Sequence, residues 1–254
     1  MRAIWTIAKR DFRTLVTSPL FYFTLFICTS VWSFVFLRSI QEFSLRSSRA
    51  AAMGGQEMNI HFYVFGNHIG LINLLVIFCI PAITMRLISE EKKSGTFGLL
   101  LTSPITATDI ALGKYLAGFM LALIYIFVGF LFPLGTLAFA DFSLKLLLAS
   151  MLGVVLMTGV YVALDLFASS MTQSQFLSII LCIVLNVSLW FFFQGGQSSS
   201  NEVLDAVLDH LQFAKHLGHF VYGSVSTSSI IFFLSVIFFF VFLTQRVVES
   251  ARWR

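Results

Sequence analysis

Arg86-Leu87-Ile88-Ser89-Glu90-Glu91-Lys92-Lys93-Ser94-Gly95-Thr96-Phe97-Gly98-Leu99-Leu100-Leu101-Thr102-Ser103-Pro104 is a charged, amphipathic island set between two apolar runs, Ile69–Met85 and Ala111–Ala138. Membrane-length apolar runs broken by short charged segments are the pattern of a chain that crosses a bilayer repeatedly. The composition agrees. Of 254 residues, 58% are hydrophobic and 11% charged, against roughly 45–50% and about 25% in an ordinary soluble domain. Thirty Phe and four Trp would leave a soluble fold with far too much apolar surface, but they suit lipid-facing helices with aromatic anchors at the interfaces.

Working outward from the island, six hydrophobic segments emerge: Leu20–Leu37, Ile69–Met85, Ala111–Ala138, Leu144–Ala168, Phe176–Phe193 and Ile230–Thr244. A helix rising ~1.5 Å per residue needs roughly 20 residues to cross ~30 Å of hydrocarbon. The second and last runs are short and must borrow flanking residues. Helices are expected because unpaired backbone is prohibitive in lipid and the alternating ten-residue pattern of a barrel is absent. The expectation is an all-α polytopic membrane protein with six transmembrane helices, residues 1–254 forming one transmembrane domain.

Lys and Arg set the orientation. With the N-terminus inside, the inner side holds Arg2, Lys9, Arg10, Arg13, Arg86, Lys92, Lys93, Lys114, Arg246, Arg252 and Arg254. Only Arg38, Arg46, Arg49, Lys145 and Lys215 are left outside, three of them in a first outer loop, Arg38–His68. Both termini are therefore expected in the cytoplasm, with the chain in the inner membrane. The net charge of +4 is dispersed between apolar runs, so it reads as topology and not as nucleic-acid affinity.

Residues 1–18 place Ile4, Trp5, Ala8, Phe12, Leu15 and Val16 on one helical stripe, with Arg2, Lys9, Arg10 and Arg13 around the rest. This predicts a basic amphipathic helix in the headgroup layer, turned into the membrane at Ser18-Pro19. The longest loop, 194–229, repeats Val203, Leu204, Val207, Leu208, Leu211, Ala214, Leu217 and Val221 at helical spacing. That predicts an amphipathic helix lying on the outer surface or re-entering the membrane.

Nucleotide chemistry is missing. No G-x-x-x-x-G-K-[ST] occurs, since Thr108 stands where the first glycine should be and Tyr115 follows Gly113-Lys114; Gln194-Gly195-Gly196-Gln197 reads as a flexible helix exit. His210, His216 and His219 lack the companions of a metal frame and read as solvated histidines. Cys28, Cys79 and Cys182 sit in apolar runs without a C-x-x-C pair and read as small hydrophobes. Asp165 is the anomaly. A carboxylate at mid-depth costs on the order of 2.5–3.5 kcal/mol, so it is expected to face protein or water. A helix-end or subunit-contact role and an ion or proton role are the two readings.

Three consecutive leucines, Leu99 to Leu101, must meet membrane or protein. Thr106-Ala107-Thr108-Asp109 reads as a capping box that starts the next helix and leaves a short transverse helix before it. With these elements in place, the island, Leu112-Gly113-Lys114-Tyr115-Leu116, Ser18-Pro19-Leu20 and the end from Thr244 to Arg254 resemble type 2 ABC-transporter permeases over essentially the whole chain. Within them, the gliding-motility-associated permease group is the most similar branch.

The resemblance implies that residues 86–105 form a cytoplasmic coupling helix docking on a separate ABC ATPase. Glu90, Glu91 and Lys92 would be the charged contacts, Gly95 and Thr96 the bend, and Leu99, Leu100 and Pro104 packing and termination. ATP and Mg would belong to that partner, with no cofactor or metal held by this chain and no catalysis in it. A second permease chain, identical or different, and a further extracytoplasmic or membrane subunit are the other implied partners. Gly98 departs from the acidic residue common after Gly-Thr-x, and Ser224–Ser229 is serine-rich where charges are common. The implied function is an ATP-driven exporter subunit; the alternatives are a scaffold or mechanotransmission subunit, and an ATP-independent channel or carrier, which would have to use Asp165, Asn186 and scattered Ser and Thr.

Overall fold

The structure, a computed structural model, describes residues 2–54, 58–102, 104–139, 142–191 and 210–252. Among them all regular structure is helical: α1 (Arg2–Val16), α2 (Pro19–Ala52), a π-helical turn (His61–Phe65) running into α3 (Gly66–Thr84), α4 (Arg86–Lys93), α5 (Phe97–Thr102), α6 (Ala107–Gly135), α7 (Leu144–Met171), α8 (Gln175–Phe191), α9 (Phe213–Val221) and α10 (Thr227–Ser250).

Among the described residues five helical stretches are long and apolar enough to cross a membrane: Pro19–Ala52, His61–Lys93, Ala107–Ala138, Leu144–Met171 and Thr227–Ser250. The fifth of the six predicted runs is not among them. The remaining candidate, α8, is described over 17 residues, about 25 Å of helix, and the rest of the predicted run, Phe192 and Phe193, lies outside the described residues. The Gly-Gly pair at 195–196 and the predicted helical positions Val203 to Leu208 also lie outside them.

The first outer loop is corrected. No Gly or Pro interrupts the chain between Pro19 and Gly54, so α2 continues for 34 residues, about 51 Å. It runs through Arg38 and Arg46, which pairs with Glu42 one turn away at 3.7 Å. Gly54 ends it at φ +69°, the left-handed conformation that favours glycine after a helix. His61 to His68, assigned to the same loop, is helical and lengthens the second span.

α7 is the central helix, packed by α3, α6, α8, α9 and α10. Gly153, Gly159, Ala163, Ala168, Ser169 and Ser170 are buried along it, small side chains that let neighbouring backbones approach. By contrast, α2 and α10 show large apolar side chains outward, among them Phe23, Phe26, Phe34, Phe238 and Phe239, as lipid contact requires.

The helices alternate in direction. α1, α4 and the start of α6 share one end of the bundle, and the end of α10 reaches it too, where Arg252 donates to Ile105 O. The opposite end carries α9, whose Phe213, His216, Leu217 and Phe220 are buried. His61 Nε2 donates to Val221 O at 2.9 Å and caps it. His216 is not solvated: Ser229 Oγ lies 2.8 Å from Nδ1, and Nε2 donates to His210 O at 2.9 Å. Both ring nitrogens are thus taken, and burial holds His216 below its ordinary pKa.

Candidate functional site

The charged island is built at the shared end, where α1, α4, α6 and the end of α7 meet. α3 turns into α4 at Met85, and α7 pins the turn. Ser169 Oγ donates to Met85 O at 2.8 Å and accepts from Ser89 N–H at 3.1 Å. Arg86 Nη1 donates to Ser18 Oγ at 3.1 Å, tying α4 to the entry of α2. One face of α4, Leu87, Ile88 and Ser89, is buried. The helix is too short to persist alone and is held by these contacts.

Glu91 leaves α4 on the side of α1 and α6. One carboxylate oxygen accepts from Arg10 Nη2 at 2.9 Å and the other lies 2.8 Å from Lys114 Nζ. Lys114, on α6, is 1% exposed. Its ammonium also reaches Asp11 Oδ2 at 3.0 Å and donates to Leu87 O at 2.5 Å. Asp11 completes the set by pairing with Arg10 at 2.8 Å. Two acids and two bases on three helices therefore sum to zero charge, the condition under which charges survive burial.

α1 approaches α6 closely because Gly113 has no side chain: a Cβ there would lie 2.8 Å from Ile7 Cβ. The stripe expected to hold α1 to lipid is partly turned to protein. Ala8 and Leu15 are buried with Ile7 and Asp11, while Trp5 stays exposed.

Beyond α4, Ser94, Gly95 and Thr96 form a turn, Gly95 with φ +73° and Ser94 Oγ 2.9 Å from Thr96 Oγ1. α5 follows, Phe97 buried and Leu100 packed on the core. Thr106 and Asp109 then cap α6 reciprocally: Asp109 N–H donates to Thr106 Oγ1 at 3.1 Å, and Thr106 N–H donates to the Asp109 carboxylate at 3.1 Å. Two hollows flank the turn. A cleft of about 290 Å³ lies between α1 and α4, lined by Arg10, Thr14, Arg86 and Glu90. Another, of about 570 Å³, lies between Gly95, Phe97 and Gly98 and the ends of α7 and α10.

The residues marked by sequence fall into separate groups. Glu90 is exposed on α4, and Gly95, Thr96 and Pro104 are exposed on the segment that follows. Glu91 faces inward. Lys92 Nζ donates to Ser170 O, and its ammonium lies 5.4 Å from the Phe97 ring centroid, so its charge too is engaged within the chain. The side chain of Leu99 lies outside the described residues.

Asp165 is elsewhere, buried where α3, α7 and α8 meet. Its carboxyl contacts Thr84 Oγ1 at 2.8 Å and accepts from Asn186 Nδ2 at 2.9 Å. The helix-end reading, in which the acid reaches the interface, is corrected: both oxygens are held inside the protein. One turn earlier, Tyr161 OH donates to Asn73 Oδ1 at 3.1 Å.

A model of the ABC-2 family transporter proteins matches residues 5–247. The chain belongs to this family. Comparison with curated proteins finds no match. As an ABC-2 family permease it is a multi-pass membrane component of an ABC transporter, a kind of subunit that is normally non-catalytic and implies a cytoplasmic ATPase as its companion. The matched region includes the whole α1–α4–α6 junction. Within this ABC-2 chain, Arg10, Asp11 and Lys114 were missed as a unit by sequence reasoning, which counted the two bases only as topology signals. The available signal was a lysine inside an apolar run, which needs an acid nearby.

Proposed function

We propose that this chain is the permease subunit of an ATP-driven exporter in the inner membrane, and that a separate ATPase docks on α4, the Gly95 turn and α5. The observation that carries the reading is the junction itself. An exposed acid, Glu90, and a glycine turn stand on an element braced to α1, α6 and α7 by Arg10, Asp11, Lys114 and Ser169. A push on α4 is then passed to several spans together, since packed elements move as units. Both termini are cytoplasmic in this reading, in keeping with α1 and the end of α10 sharing the end that carries the island. Mg and ATP sit in the partner, and a second permease chain, the same or different, completes a dimer that switches between inward- and outward-facing states. The motifs of the island favour the gliding-motility-associated branch within the family, Gly98 and Ser224–Ser229 being the departures.

Because Glu91 and Lys92 are engaged within the chain, docking falls to Glu90 and the exposed Lys93. The test is Glu90→Ala with Lys93→Ala. Membrane insertion is expected to be unchanged and co-purification of the ATPase to fall by about tenfold, the loss of roughly 1.4 kcal/mol of binding. Unchanged co-purification rejects the docking assignment.

A further inference from the structure

Thr84 Oγ1 lies 3.0 Å from Ile80 O and 2.8 Å from Asp165 Oδ2. A hydroxyl carries one proton and two lone pairs, so with an ionised carboxylate that single proton serves only one of two acceptors. If the carboxyl itself is protonated, both contacts close: Asp165 Oδ2–H donates to Thr84 Oγ1, and Thr84 O–H donates to Ile80 O. Oδ1 remains the carbonyl oxygen that accepts from Asn186 Nδ2.

The surroundings favour the same state. Asp165 is fully buried, and among the described residues no cation pairs with it. The groups facing it are Thr84 from α3, Asn186 and the Cys182 thiol from α8, and, one turn away on α7, Tyr161 and Ser169. An isolated carboxylate in such a site is strongly disfavoured against the neutral acid.

We propose that Asp165 is a proton-binding site, its carboxyl held as the neutral acid between α3, α7 and α8 and ionising only when Thr84 is drawn away. In that step the carboxyl O–H bond breaks and the proton passes to water admitted between the helices, leaving the carboxylate. Thr84 is the last residue of α3, next to the Met85 turn into α4. Movement of α4 therefore acts directly on the acceptor of this proton, a consequence that rests on the docking reading; the proton assignment itself does not.

The test is infrared spectroscopy of the purified full-length chain in lipid at neutral pH. A carbonyl stretch of a neutral carboxylic acid is expected, shifting in deuterated water and lost in Asp165→Asn. Should that variant not fold, Thr84→Val, which removes the acceptor, is expected to shift the band. A wild-type spectrum without the band, or a band that neither variant alters, overturns the assignment. Thermal melting tests release: the unfolded carboxyl ionises from about pH 4 upward, so raising the pH from about 4 to neutral erodes what the buried neutral acid contributes to the wild-type Tm, and Asp165→Asn removes that dependence. Parallel pH profiles overturn release on ionisation. Neither measurement involves the ATPase, so failure here and failure of docking are told apart.

Discussion

Two buried polar centres lie along the same bundle. At the α1–α4–α6 junction, Lys114 has carboxylates at 2.8 and 3.0 Å; between α3, α7 and α8, the Asp165 carboxyl meets a hydroxyl and an amide, at 2.8 and 2.9 Å. The first sits near the helix ends, where acid and base from different helices reach each other, and it keeps its charges as a neutral set. The second has no base in reach among the described residues, and neutrality there comes from a proton. Burial within the protein favours zero net charge in both places, by different means.

The comparison breaks most visibly at Lys114. Lys114→Met leaves Asp11 and Glu91 facing each other with Arg10 alone, and about 3–5 kcal/mol of stability should be lost, read by thermal unfolding in lipid. Combining it with Asp11→Asn and Glu91→Gln should restore most of that loss; no restoration would show that the lysine acts through packing and not charge.

At the second centre, Asp165→Leu strands the Asn186 amide, at about 1–3 kcal/mol, while Thr84 keeps its bond to Ile80 O; Asp165→Asn keeps both contacts and should melt close to wild type. A large loss with Asn would argue for a carboxylate there. Gly113→Ala should cost about 1–3 kcal/mol by forcing α1 off α6, and crosslinking between exposed positions on the two helices reports the displacement.

The smallest effect is at the opposite end. His216 is held below its ordinary value of 6.5 by burial, against the upward pull of its bond to His210 O, with the charges of His210, His219 and Lys215 adding to the lowering. The unfolded chain therefore binds the proton first, and stability should fall as the pH drops below about 6.5. His216→Asn should flatten this acid limb in a melting series, and an unchanged limb would assign it to another group.

Local signals in the sequence reached a definite depth. The Thr106–Asp109 cap and the apolar runs were legible because each depends on residues close in the chain, while the bend at Gly95 came from the family resemblance. The end of α2 was not: hydropathy stops at Leu37, but nothing stops the backbone before Gly54, and charged Arg38, Glu42 and Arg46 continue the helix readily. The direction of Glu91 was hidden for another reason. Glu90 and Glu91 look alike in the run of four adjacent charges on α4, and only the arrival of α1 and α6 separates inward Glu91 from exposed Glu90. His216 likewise gave no sign of Ser229 and His210 as partners, since its burial depends on how α9 folds back on α7 and α10.

The ionic junction also has a history in time. Asp11 and Lys114 are 103 positions apart, so at synthesis rates of about 5–20 residues per second the acid exists for on the order of 5–20 s before its cation is made. During that interval α1 has no α6 to pack on, and its amphipathic face can rest only on the membrane surface. The surface on which α4 presents Glu90 is finished only once the helix carrying Lys114 has been inserted. Biogenesis is thereby ordered: the face that α4 presents is complete only after α1, α4 and α6 have come together.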